Sequence, residues 1–223
     1  MTWPETEHRP LLCVPVGSCE QHGPHLPLST DTIIAEAIAT RFAERRPGTL
    51  VAPPLTVTAS GEHAGFPGTL SIGTDVTMLT IVELVRSADW ADGVVLVNGH
   101  GGNRDAVDRA IAELDRDGRA VLPWWPLIPG GDAHAGRTET SLVLALRPDL
   151  VRLDRAAPGA TAPLETIIGR LRARGVRAVA PNGVLGDPTG ASAEEGHAIL
   201  RRLVDDLDAC VTEWLATTQG APA

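Results

Sequence analysis

Short apolar runs alternate with segments of helical period along this chain. "LLCVPV" at 11–16, "TLVAPPLTV" at 49–57, "GVVLVNG" at 93–99 and "AVLPWWPLI" at 120–128 are blocks of strand length with little polar alternation. Such blocks suit strands buried on both faces of a parallel sheet. Between them, apolar positions recur every three or four residues, which predicts helices from Asp31 to about Arg45, from about Asp75 to Ser87 and from Asn103 to about Asp117. Ser29, Thr30 or Asp31 can open the first of these. "TSLVLALRP" reads as a further helix, and Ser192 with Glu195 three residues on forms a capping box before a long C-terminal helix. The alternation predicts an α/β fold, three-layer α/β/α with a mostly parallel sheet, in one domain over residues 1–223. "DRAAPGATAPL" at 154–164 is loop-like, suited to an excursion between subunits, and "TTQGAPA" is expected to fray.

Composition narrows the function classes. Hydrophobic residues make up 43% and aromatic ones only 3%, with no Tyr, so the core must be Val, Leu, Ile and Ala. A net charge of −9 without a basic stripe argues against nucleic acid and against an anionic membrane as partner. All 19 cationic side chains are Arg. Without lysine there is neither a Walker-type phosphate loop nor a Schiff-base catalyst. Cys13, Cys19 and Cys210 form no CxxC pair and no even set, which fits a reduced, cytoplasmic setting rather than a disulfide framework. "MTWPETEHRP" has no signal-peptide pattern, and no apolar run approaches membrane-spanning length.

The chemistry concentrates in loops after the strand blocks. In "GSCEQHGPHLPLSTD", Glu20 and His22 stand two apart, so an extended segment presents a carboxylate and an imidazole to one point. Asp31 can cap the following helix or reach back to that point. His100 in "VNGHGGN" follows another buried strand, and open α/β sheets build their sites at such carboxyl ends. The glycines there do not match a dinucleotide fingerprint. His134 and Glu139 lie five apart in "DAHAGRTETS". His, Asp and Glu without Cys suit zinc, manganese or iron in the divalent state, and five or six such ligands can hold two ions. Glu62 and His63, before "FPGT", are candidates for the pocket mouth or for a turn. Trp124 and Trp125 can wall the pocket for an aromatic substrate, with core packing the alternative for at least one. His8, His25, His197 and Cys19 carry no specific signal.

Five blocks, "PVGSCEQHGPHLPLSTD", "SGEHAGFPGTLS", "VNGHGGN", "HAGRTETS" and "GVLGDPTGASAEEG", run in order from residue 15 to 196 and together resemble the creatininase family of metal-dependent amidohydrolases. The resemblance implies a three-layer fold and two divalent ions per chain (Zn, Fe or Mn) that activate water against an amide. It also implies that Glu20, Asp31 and His100 hold one ion, that His22 and Asp31 hold the other with Asp31 as the bridge, and that His134 donates a proton or orients the substrate. Creatinine-hydrolysing members carry a glutamate two residues after the histidine of the third block, supplying the second ion, where this chain has Gly102. Glu139 is then the candidate to complete the second site, joining His134 in the catalytic set. Within the family the chain looks most like members that release a modified C-terminal Val-Tyr dipeptide from a small ribosomal precursor peptide. A creatinine, formamide or cyclic-amide hydrolase is the alternative within the family, and a non-catalytic binding module the alternative outside enzymes. The resemblance further implies a homo-oligomer, a hexamer.

Overall fold

The computed structural model describes residues 2–8 and 10–218. Four strands form one parallel sheet: β1 (Leu11–Val16), β2 (Thr49–Val51), β3 (Gly93–Asn98) and β4 (Val121–Trp124), in the order β2-β1-β3-β4. Helix α1 (Thr30–Arg45) joins β1 to β2, α2 (Gly73–Ser87) crosses from β2 to β3, and α3 (Arg104–Arg116) joins β3 to β4. After β4 come α4 (Arg137–Leu146), α5 (Leu164–Arg174), the short α6 (Val176–Val179) and α7 (Ala193–Thr218).

Alternation along the strands divides the core into two. Leu11, Cys13, Val95 and Val97 face α1, α4 and α7 through Ile34, Ile38, Leu142, Leu200 and Leu207. Leu12, Val14, Val94 and Leu96 face α2 and α3 through Ile81, Val82, Val107 and Leu114. Helices thus cover both faces, which is the three-layer arrangement expected, and every residue of β1 and β3 is buried. A smaller cluster, Leu171, Val176, Ala180 and Leu185, ties α5 and α6 to the loop before α7.

Two strands are shorter than the apolar runs suggest. β2 stops at Val51, because Pro53 and Pro54 have no backbone donor, and the run continues only through a single bridge between Leu55 and Val16. β4 stops at Trp124, short of Pro126. Ser192 Oγ accepts the Glu195 N–H at 3.2 Å, so the start of α7 is capped as expected, although the Glu195 carboxylate turns to Arg137 and Ser141 instead of closing the box. Of the tail expected to fray, Thr217 and Thr218 end α7, and 219–223 lie outside the described residues. No helix among the described residues is long and apolar enough to cross a membrane.

The chain moves outward from β1 to β2, crosses back to β3 on the other side of β1, and continues to β4. The direction therefore switches between β1 and β3, whose carboxyl ends open a crevice. Gly99, at the β3 exit, allows α1 to settle onto this edge: a Cβ there would stand 2.6 Å from the Asp31 carbonyl oxygen. That contact puts the first turn of α1 beside His100.

Candidate metal centre

Extended backbone after β1 delivers Glu20 and His22 to the crevice, the first turn of α1 delivers Asp31, and the β3 exit delivers His100. Glu139 comes from the first turn of α4, and His134 from the loop before it, pinned by backbone bonds in both directions with Leu185. Ala135, between them, has φ 52 and is the only described non-glycine residue in the left-handed region; its N–H donates to Glu139 Oε2 at 2.6 Å. Such a conformation costs energy and persists where the surroundings fix it. Asp132 supplies part of that fixation by accepting the N–H groups of Thr138 and Asp187, which joins the fourth and fifth sequence blocks.

All of the expected ligands converge. His22 Nε2 lies 2.9 Å from Asp31 Oδ1 and 3.8 Å from Glu139 Oε2. Its Nδ1 lies 3.1 Å from the Glu20 carbonyl oxygen, which suits an N–H at Nδ1 and leaves the Nε2 lone pair facing the carboxylates. Asp31 Oδ2 accepts the Ser18 hydroxyl at 2.7 Å and lies 3.2 Å from His100 Nδ1. His100 Nε2 lies 3.1 Å from Glu20 Oε2 and 3.4 Å from Glu62 Oε1. Asp31 is thus not an N-cap: Ser29 holds that position without a side-chain bond, and the carboxylate sits between two imidazoles.

Two separate sets of donor atoms, Glu20–Glu62–His100 and His22–Asp31–Glu139, each lie within 4.8 Å of one another, and a third, Glu20–His22–His134, overlaps both. The chemistry of the donors fits a divalent cation. Glu20 is fully buried, and neither of its carboxylate oxygens has a hydrogen-bond partner, although His63 and His100 nitrogens stand 3.1 Å away without suitable alignment. A buried, unpaired carboxylate is costly unless a cation meets it.

Protonation shows the same imbalance. Burial pushes the Glu20 carboxyl up to about 8 and that of Glu139 up to about 7. Burial pulls His22 and His100 down, but the Asp31 and Glu20 carboxylates outweigh it and lift both to about 10. Burial raises Asp31, and its two imidazole neighbours more than reverse this, holding it well below the usual carboxylate range. In the absence of metal, then, protons on His22 and His100 balance the carboxylates. A divalent ion would displace those protons.

Burial, reinforced by the His22 and His63 charges, holds His134 well below the ordinary imidazole value. Its Nε2 lies 2.9 Å from the Gln21 carbonyl oxygen, and its Nδ1 lies 3.8 Å from Glu20 Oε1. The ring stands beside His22, with centroids 4.3 Å apart, and beside His63, 4.5 Å apart. His63 is inside the cluster rather than at its rim, and burial lowers it to about 3.

Several expectations need correction. Trp124 does not wall the pocket: it is buried among the α7 contacts, and its indole N–H donates to Asp206 at 2.8 Å. Trp125, its neighbour on the opposite face, does line the cavity and lies under the Arg104 guanidinium. At Gly102 a Cβ would meet the Glu62 carboxylate, the His100 ring and the Ala59 carbonyl oxygen. Two supporting residues carried no signal in the sequence. Ser18 donates to Asp31, and the Gln21 amide donates to the Gly183 carbonyl at 3.0 Å and approaches the rings of His63 and His134. His25 is buried against the Thr140 hydroxyl, while His8 and His197 are exposed.

A cavity of about 690 Å³ adjoins His100 and Glu139, with Trp125, Leu127, Ile128 and Leu185 among its apolar walls. Its size lies within the usual range for small-molecule sites. Fold and site together define the class: a metal-dependent hydrolase on a three-layer α/β scaffold, with its ligands at the sheet's switch point.

The family profile described as "Creatinine amidohydrolase" matches residues 1–211. A "Mycofactocin precursor peptide peptidase" of Mycolicibacterium smegmatis is 48% identical over 218 residues, covering 95% of this chain and 88% of the relative. Two solved structures superpose with TM-score 0.78 over 96% of this chain. One, titled "Creatininase Mn", is 32% identical with 96% of its own chain covered; the other, a glutamate-to-glutamine creatininase variant of "Zn-Zn type", is 31% identical with 95% covered. The chain belongs to the creatininase family.

Proposed function

We propose that this protein, a single creatininase-like domain, is a dinuclear peptidase. It hydrolyses a peptide bond near the C-terminus of a small modified precursor peptide, that of mycofactocin, and releases the C-terminal Val-Tyr-derived dipeptide. The observation that carries the chemistry is the pair of carboxylate and imidazole sets meeting around a fully buried Glu20 whose oxygens lack partners. The substrate rests on the 48% identical peptidase. Glu20, Asp31 and His100 would hold one ion, and His22, Asp31 and Glu139 the other, with Asp31 reaching both because each of its oxygens faces a different imidazole. Ions so held lower the pKa of water and polarise a carbonyl.

The chain's own groups supply orientation and proton transfer. The Gln21 carbonyl suits an N–H on His134 Nε2, which leaves Nδ1 facing the centre, placed to orient the substrate or pass a proton to the leaving amine. The Glu20 carbonyl fixes the His22 tautomer in the same way. The walls formed by Trp125, Leu127 and Leu185 suit an apolar or aromatic side chain. Exposed Ile72, Val76 and Leu79 on and beside α2 support association of copies, a hexamer by family resemblance.

Creatinine hydrolysis is the second reading, favoured by the family profile. Incubating the metal-loaded protein with the modified precursor peptide and creatinine together separates the two. Mass spectrometry should show a peptide shortened by its last two residues while creatinine persists; an untouched peptide with creatinine consumed would reverse the assignment.

A further inference from the structure

We propose that Glu62 is a ligand of the metal centre, reaching it from the 59–63 loop through the space that the missing side chain of Gly102 leaves open. This rests on the reading above that the centre binds metal. Glu62 Oε1 lies 3.4 Å from His100 Nε2, and its donor atom falls within 4.8 Å of those of Glu20 and His100. Glu20 supplies the independent sign of a cation here, since both of its buried oxygens lack hydrogen-bond partners. The Glu62 side chain is 32% exposed, so burial does not force it inward. It nonetheless turns toward the Glu20 carboxylate and the imidazole of His100, which Glu20 and Asp31 already share.

The geometry at Gly102 explains how the carboxylate gets there. A Cβ at 102 would overlap Glu62 Oε1 and His100 Nε2 and would stand 2.8 Å from the Ala59 carbonyl oxygen. A side chain at 102 and the Glu62 carboxylate therefore exclude each other. The root of the Glu62 loop is fixed to the same segment: the Ala59 N–H donates to Asn103 Oδ1 at 3.2 Å, and the Ala59 oxygen lies 3.0 Å from His100 Nε2. Glu62 and Gly102 thus form one device, a carboxylate supplied across space in place of one supplied along the chain. This gives the Glu20–His100 end three unshared ligands, where the other end has two, His22 and Glu139.

Chelator-stripped full-length protein titrated with Mn(II), with bound ions counted by elemental analysis and free Mn(II) by electron paramagnetic resonance, tests this. The parent should bind two ions. Glu62→Gln should keep one at parental affinity and bind the other at least ~10-fold more weakly, and Gly102→Ala should do the same by displacing the carboxylate. The exchange variant Glu62→Gly with Gly102→Glu should recover the second ion. Two ions held at parental affinity by Glu62→Gln would overturn the assignment of Glu62 and leave the centre intact. No Mn(II) bound by the parent would overturn the metal centre itself, and with it this proposal. Glu62→Gln is isosteric at a partly exposed position, so the result does not depend on whether Gly102→Ala folds.

Discussion

Replacing Glu20 with Gln should raise the stability of the metal-free protein and lower that of the metal-loaded protein. In the folded, metal-free chain burial holds this carboxyl at about 8, against 4.5 ordinarily. The unfolded chain releases the proton near 4.5 while the folded chain keeps it to about 8. Stability therefore falls as pH rises through that window, and the penalty is complete above it. At ~1.4 kcal/mol per tenfold change, the penalty at pH 7 is on the order of 3 kcal/mol. A glutamine has no such proton to lose. For a chain of this length the relief corresponds to a rise in Tm of roughly 5–10 °C at pH 7, shrinking toward zero at pH 5. With metal the order should invert. An ion at a thousandfold excess over its Kd stabilises by about 4 kcal/mol, and the variant forfeits much of that because Glu20 belongs to two of the three donor sets. Scanning calorimetry of chelator-treated and Mn(II)-saturated protein at both pH values measures all four quantities. A variant that melts below the parent when metal-free, with an undiminished metal-induced shift, would mean that Glu20 is an ordinary structural carboxylate.

Other perturbations separate the roles of neighbouring residues. His134→Ala should retain both ions after dialysis and slow turnover by ~10²–10⁴-fold, whereas Glu139→Gln should lose or weaken one ion; elemental analysis beside single-turnover kinetics distinguishes them, and the opposite pattern would exchange their assignments. Trp124→Phe removes the indole bond to Asp206 and should cost about 1–2 kcal/mol of stability with KM unchanged. Trp125→Ala should instead raise KM with little loss of stability, which denaturant melts and initial rates would check.

The sheet, the helices around it and much of the carboxylate and imidazole cluster were legible because they follow from local pattern. Buried strands read as unbroken apolar runs, and an i, i+2 pair in extended chain points one way, as Glu20 and His22 do. Local pattern could not decide Asp31, since a carboxylate at a helix start looks the same whether it caps or ligates. Two imidazoles brought by other segments decided it. Strand lengths were overread where Pro53, Pro54 and Pro126 end pairing without interrupting hydrophobicity. Trp124, the last residue of β4, packs among the α7 contacts, while Trp125, just past the strand, reaches the cavity. The contacts of Glu62 and Gln21 were not legible because they depend on loops meeting in space: Glu62 approaches His100 where the 59–63 loop meets the β3 exit, and Gln21 meets Gly183 from the far end of the chain.

Stoichiometric reconstitution tests the metal-dependent peptidase most directly. Chelator-treated protein, verified metal-free by elemental analysis, is given increasing equivalents of divalent metal, and dipeptide release from the modified precursor is followed by mass spectrometry. Activity should be absent at the start, rise with bound metal and saturate at two ions per chain. Full dipeptide release by protein verified to contain no metal would contradict it.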